Sequence, residues 1–332
     1  MALAMPVSAN RYAATVDVAN WKVESSIFMC RMTHDLPYYG KAIFEQRAGD
    51  ELAFSLQNIR SQLREGVADL VIEGPEWQSR KAPQALGRVH VEAGNLPIAL
   101  NGSLSRRLLL ALHEGMQPLF KSVAEQGGVL QVAVSPVNFQ PAFRQYNQCL
   151  EQLLPVNFEQ VSTTTVNFSL QKNELSDTVK HQLDAVVLYM KNDASVQSLL
   201  VDGHTDNASL SSESMAISER RAKDVTAYLV KAGIKAEQIV TRWHGERYPV
   251  ASNASLKGRI ANRRVTVRLS HDTAKQLVDS EQAALRAEAQ EKADKQDKQD
   301  AAEQGTGTTP VTDAIKLPPI APAAPESWER NP

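Results

Sequence analysis

LLVDGHTDNASLSSESMAISERRAKDV, residues 199–225, decides how the C-terminal half of this chain folds. Its apolar start, closed by Gly203, has the length and composition of a strand, and SESMAISERRAKDVTAYLVKAGI (212–234) has helical spacing. Between them a loop carries His204-Thr205-Asp206-Asn207, and Arg221 follows fifteen positions after Asp206, in the first turns of the helix. A helix that returns antiparallel to the strand brings Arg221 back beside the strand's end. One carboxylate and one guanidinium then flank a shallow pocket at a helix N-terminus, where backbone N–H groups already favour an anion. The arrangement suits a zwitterion: Asp206 accepts from an ammonium group and Arg221 forks onto a carboxylate. The alternative is a plain surface salt bridge between the two, of a kind that contributes little.

Working outward, TTTVNFSL (163–170), VQSLLVDG (196–203), QIVTRWHG (238–245) and NRRVTVRLS (262–270) read as strands. Residues 174–193 read as an amphipathic helix with Leu175, Val179, Leu183, Val186, Val187 and Met190 along one stripe. Gly233 takes the expected left-handed position behind the second helix. Residues 157–270 are therefore expected to form an α/β sandwich, a mixed sheet with helices on one face. Residues 10–155 are expected to form a mainly β domain. Its strands lie near 51–57, 69–74, 87–94 and 127–135, with a helix over 104–126 that Pro118 interrupts and another over 141–154. The stretch 271–332 lacks core-forming residues through its Ala/Glu/Gln/Lys part and is expected to be a disordered tail. Residues 1–9 end in Val7-Ser8-Ala9, the small-x-small pattern of a signal-peptidase site, and read either as the remnant of an export signal or as a short disordered end.

Composition narrows the function. A net charge of −2 and a pI near 6.4 argue against a polyanion binder, and apolar runs such as 108–112 and 186–190 are far too short to span a membrane. From Arg247 to His271 there are six Lys or Arg and no acid, including Arg263 and Arg264; without an aromatic ladder this reads as support for the pocket rather than a nucleic-acid surface. Cys30 and Cys149 lack the spacing of a zinc or redox motif, and no other metal or cofactor pattern occurs. They read either as two buried thiols or as a disulfide, which would contribute on the order of 5 kcal/mol in the chain-entropy account. His204, Asp206 and Ser209 superficially suggest a triad, but six residues of one loop do not easily reach triad geometry, so catalysis is not expected.

The motifs GHTDN, SERRAKDVTAYLVKAGI and PVASNASLKGRIANRRV, in that order and spacing, resemble the OmpA-like peptidoglycan-binding domain. The resemblance implies that Asp206 and Arg221 clasp the amine and carboxylate of a diaminopimelate side chain on the wall's stem peptide. It also implicates Thr205, Asn207, Ile217 and Asn262. Three positions depart from the family pattern: Ser209 replaces a glycine, Ser214 an asparagine, and Phe168-Ser169 a Phe-Asp pair. Residues 11–44, with Trp21, Cys30-Arg31, His34, Pro37 and Tyr39-Gly40, resemble the start of the MotY family of flagellar T-ring proteins. That resemblance implies a periplasmic location, a Cys30–Cys149 disulfide and an N-terminal unit that docks to flagellar ring and stator proteins. A non-enzymatic anchor between motor and wall is then expected. The alternative is a general envelope tether unrelated to motility.

Overall fold

The computed structural model describes residues 10–75, 82–168, 175–209 and 211–303. The residues read as an export-signal remnant lie outside this range. In the first half, period-two alternation builds two five-stranded sheets. The strands are β1 (Asn10–Tyr12), β2 (Trp21–Ser25), β3 (Met29–Leu36), β4 (Gly40–Arg47), β5 (Ala53–Asn58), β6 (Gly66–Glu73), β7 (Gln84–Val91), β8 (Ile98–Asn101), β9 (Gln117–Val123) and β10 (Val129–Ala133). One sheet runs β1-β10-β9-β6-β7 and the other β2-β3-β4-β5-β8. Only β1, which lies parallel to β10, breaks the antiparallel pairing of these two sheets.

On β3 to β5, Cys30, Met32, Ala42, Phe44, Phe54 and Leu56 point inward while Arg31 and Glu45 face out and pair. Phe54 and Phe120 stack at 5.6 Å across the two sheets. Two helices, α1 (Ser103–His113) and α2 (Phe139–Gln152), close the core with Leu108, Leu112, Phe139, Tyr146 and Cys149. The helix expected over 104–126 requires correction: it stops at His113, and Gln117–Val123 is β9. Gly115, at φ 76°, turns the chain out of the helix, and Pro118 sits at the start of a strand rather than breaking a helix.

Cys30 of β3 and Cys149 of α2 form a disulfide, with Cα atoms 5.8 Å apart. It closes a 119-residue separation and fastens the second sheet to the last helix of this half.

After α2 the chain enters a short helix, α3 (Phe158–Val161), capped reciprocally by Asn157 and Gln160. The second half then forms β11 (Thr163–Asn167), α4 (Asp177–Asn192), β12 (Ser198–Gly203), α5 (Ser211–Lys231), β13 (Ile239–Trp243), α6 (Leu256–Asn262) and β14 (Arg264–Ser270). Its mixed sheet is ordered β11-β14-β12-β13, with β12 and β13 parallel and the other pairs antiparallel. Leu199 and Val201 of β12 and Val265 and Val267 of β14 pack with Leu183, Val186, Ala222 and Val225 of α4 and α5. The expected α/β architecture is thus present. Sequence patterning missed α6, which is too short to show a stripe.

The two cores touch. Ile27 and Phe28, on the β2–β3 turn, pack against the second core, and Ala48 is buried within it. Phe28 lies 5.8 Å from Tyr189 of α4, and the Leu154 amide donates to the Ile27 carbonyl. Gly49, at φ 71°, passes so close to α3 that a Cβ would strike the Gln160 side chain, whose Nε2 donates to the Gly49 carbonyl.

After β14, Ala274–Glu303 is one 30-residue helix, α7, where the composition predicted a disordered tail with at most a transient helix through Leu277 and Leu285. Ala, Glu, Gln and Lys are strong helix formers, and this length exceeds the ~12–15 residues an isolated helix needs. The rest of the expected tail, from residue 304, lies outside the described residues. Among the described residues no helix is long and apolar enough to cross a membrane.

Replacing both cysteines by alanine should cost about 2–5 kcal/mol, read as a lower denaturation midpoint than the wild type under oxidising conditions. An unchanged midpoint would show that the crosslink contributes nothing.

Candidate functional site

The site forms where β12 ends. His204 donates its backbone N–H to Arg264 at 2.8 Å, and Thr205 donates to Gly245 at 2.9 Å, so both neighbouring strands steer the chain into the 204–209 loop. Helix α5 returns directly over this point. A Cβ on Gly203 would run into the Ser218 carbonyl and lie 3.0 Å from Ala222 Cβ. Only a glycine allows that approach. The buried face of α5 carries Ser214, Ser218, Arg221, Ala222, Val225 and Leu229, which aims Arg221 inward.

Asp206 and Arg221 are brought into one electrostatic cluster, yet they do not bond to each other. Asp206 Oδ2 accepts from Arg263 Nη1 at 2.6 Å. Asp206, Arg221 and Arg263 are 4%, 3% and 4% exposed. Arg263 stands between α6 and β14, and its Nε donates to the Phe168 carbonyl at 3.3 Å. The Phe168 ring in turn lies 5.1 Å from the Arg221 guanidinium, a cation–π contact. Nε and Nη1 of Arg221 are buried with no hydrogen-bond partner. Burial pushes the pKa of this guanidinium down, the nearby Arg263 adds to the shift, and Asp206 partly opposes it. A buried cation with idle donors is costly.

The other expected residues divide. Thr205 is buried beside Asp206, Asn207 is exposed on the loop, and Ile217 is half-buried one helical turn before Arg221. Asn262 is fully buried, but its side chain is spent on the 250–253 loop. Its Oδ1 accepts from the Val250 and Ala251 amides, and its Nδ2 donates to Ala251 O and Asn253 Oδ1. It shapes the rim, and its polar atoms are already engaged. Sequence reading missed the pairing of Arg263 with Asp206 and the ring of Phe168. The NRRV motif was the available signal, but its meaning depends on β14 lying beside β12.

On the face of the sheet away from α4 and α5, Asp202 accepts from Arg242 at 2.7 Å, His244 at 3.1 Å and Arg268 at 2.7 Å. Burial opposes ionisation of Asp202, but these donors together outweigh it and hold the carboxyl well below the usual range. His204 stacks on His244 at 5.0 Å. Burial first, then the charges of Arg264 and His244, lower the His204 pKa to about 4, so it is neutral at pH 7. Among the described residues no group of three or more His, Cys, Asp or Glu could hold a metal ion.

Residues 12–155 match the family model of the MotY N-terminal domain, and residues 167–263 match that of the OmpA family. The sodium-type flagellar protein MotY of Vibrio parahaemolyticus is 26% identical over 268 residues, covering 79% of this chain and 91% of that protein. The peptidoglycan-associated lipoprotein of Pseudomonas aeruginosa is 32% identical over 105 residues, 32% of this chain and 61% of that protein. A crystal structure of the corresponding lipoprotein from Burkholderia pseudomallei covers 32% of this chain and 89% of its own, at 24% identity and a TM-score of 0.31.

His204 gives the second half a pH signature. A histidine held neutral in the fold but ionising near 6.5 when unfolded contributes stability that is complete above pH 6.5 and lost as pH falls toward about 4. His34, buried in the first core, shifts the same way. Melting temperature should therefore fall between pH 6.5 and 4, and His204→Asn should flatten that slope by an amount on the order of 3 kcal/mol. Parallel slopes in the variant and wild type would refute the assignment.

Proposed function

Since this chain carries a MotY N-terminal domain at residues 12–155 and an OmpA family domain at 167–263, we propose that it is a non-enzymatic periplasmic anchor tying the flagellar motor to the cell wall. In this reading, the OmpA-like part (157–270) binds a stem-peptide diaminopimelate. Arg221 takes its carboxylate and Asp206 its ammonium. Thr205, Asn207 and Ile217 border the site, and Asn262 holds its rim. The β-rich part (10–155) docks to ring and stator proteins of the basal body.

One observation carries the wall-binding half of this reading: a buried guanidinium on α5 with two partnerless nitrogens, Nε and Nη1, close to a carboxylate that another arginine already holds. Such a site receives an anion and needs neither a nucleophile nor proton transfer. The non-enzymatic reading is supported by the His204-Asp206-Ser209 set, in which Asp206 is engaged by Arg263 and His204 stacks on His244. The N-terminal family match favours a motor anchor over a general envelope tether. Modest affinity per site suffices, because the wall presents many copies of the same peptide.

Full-length protein should be retained on purified peptidoglycan, whereas Asp206→Ala and Arg221→Ala should each reduce retention about tenfold or more. Soluble wall fragments appearing in the assay would instead indicate a hydrolase. In cells, both variants should still be found at flagellar bases if residues 10–155 make the motor contact; diffuse periplasmic signal would argue that the wall site does the localising.

A further inference from the structure

Asp206 and Arg221 are opposite charges, each nearly fully buried and close enough that the carboxylate acts electrostatically on the guanidinium, yet they do not form an ion pair. In a low-dielectric site that pairing would be the obvious outcome, and it would fill the place a ligand needs. Arg263 is the group that competes for the carboxylate. Its Nη1 takes Asp206 Oδ2 at 2.6 Å, with both side chains no more than 6% exposed. Its Nε donates to the Phe168 carbonyl, so the same guanidinium also fixes the residue whose ring supports Arg221. Backbone bonds hold Arg263 from both sides: its N–H donates to Arg259 O, and its carbonyl accepts from the Phe168 amide.

We infer that Arg263 is a positioning residue that keeps Asp206 and Arg221 apart, holding the site ready for a ligand and making the ligand's carboxylate its main determinant. The inference rests on the wall-peptide reading above. Its basis is a charge count. Two buried guanidinium groups share one carboxylate, so the protein groups of the site carry an excess positive charge. An arriving carboxylate offsets that excess and satisfies Nε and Nη1 of Arg221. An arriving ammonium meets an Asp206 already paired with Arg263, and gains less. The clasp is therefore unequal: blocking the ligand's carboxylate should matter more than blocking its amine.

The test uses full-length protein and three synthetic stem peptides: one with meso-diaminopimelate, one with its side-chain carboxylate as carboxamide, and one with its side-chain amine acetylated. For wild type, calorimetry should give binding of the first, loss of at least about tenfold for the carboxamide, and a smaller loss for the acetylated peptide. Arg263→Gln, with its melting curve recorded, should bind the first peptide at least about tenfold more weakly, because Asp206 is then free to pair with Arg221. Arg263→Lys, which restores one charged donor, should recover part of that loss. Wild type that binds none of the peptides would overturn the wall-peptide reading itself. Wild type that binds the first peptide, with Arg263→Gln within twofold of it, would overturn the role of Arg263 and leave that reading standing. The ligand ranking needs no variant, so it remains decisive if Arg263→Gln fails to fold; an acetylated peptide weaker than the carboxamide would overturn the inference.

Discussion

The close approach of α5 to β12 at Gly203 is the contact on which the site depends. It presses the Ser218 and Ala222 positions against the strand's end, and so carries Arg221, one residue before Ala222, into the interior beside the 204–209 loop. Any side chain at 203 would push the helix outward and lift the guanidinium away from Phe168. Gly245, at φ 57°, completes the packing from β13: its amide donates to Ser218 Oγ, and its carbonyl accepts from Thr205. The loop bearing Asp206 is thus held by the same residues that seat the helix.

Electrostatics then decides what this packing can do. A lone buried arginine would be intolerable, and an arginine paired with its nearest aspartate would be inert. The third member, Arg263, engages the aspartate from β14's side, which is the basis of the positioning role proposed for it. The site keeps a buried cation whose cost is partly offset by the Phe168 ring and whose Nε and Nη1 have no hydrogen-bond partner. A second charge cluster, around Asp202 on the opposite face, is different in kind. Its carboxylate is saturated by three donors and serves to tie β12, β13 and β14 together.

The two halves are joined by packing rather than by slack chain. Turns of the first half, with Ile27, Phe28 and Ala48, are built into the second core, while Asn157 and Gln160 hold the Gly49–Asp50 turn. The disulfide anchors β3 directly behind the Ile27–Phe28 turn to α2, whose end leads into the junction. A load applied to either half would pass through side chains in contact, which is compatible with the anchoring role proposed above.

What the sequence by itself determined is the alternation of strands and helices after residue 157, the placement of Asp206 on a loop and Arg221 in the first turns of the following helix, and the resemblance to a family pattern at those positions. Local periodicity and spacing encode these, because strand and helix repeats leave a mark within a dozen residues. Tertiary structure alone decided that residues 117–123 form a strand, where Gly115 ends the preceding helix and a sheet partner is waiting. It alone decided that Asp206 pairs with Arg263, 57 residues away, rather than with Arg221. Which cation a buried carboxylate takes depends on strand order, here β14 beside β12, and strand order is a property of the assembled sheet that no local pattern records.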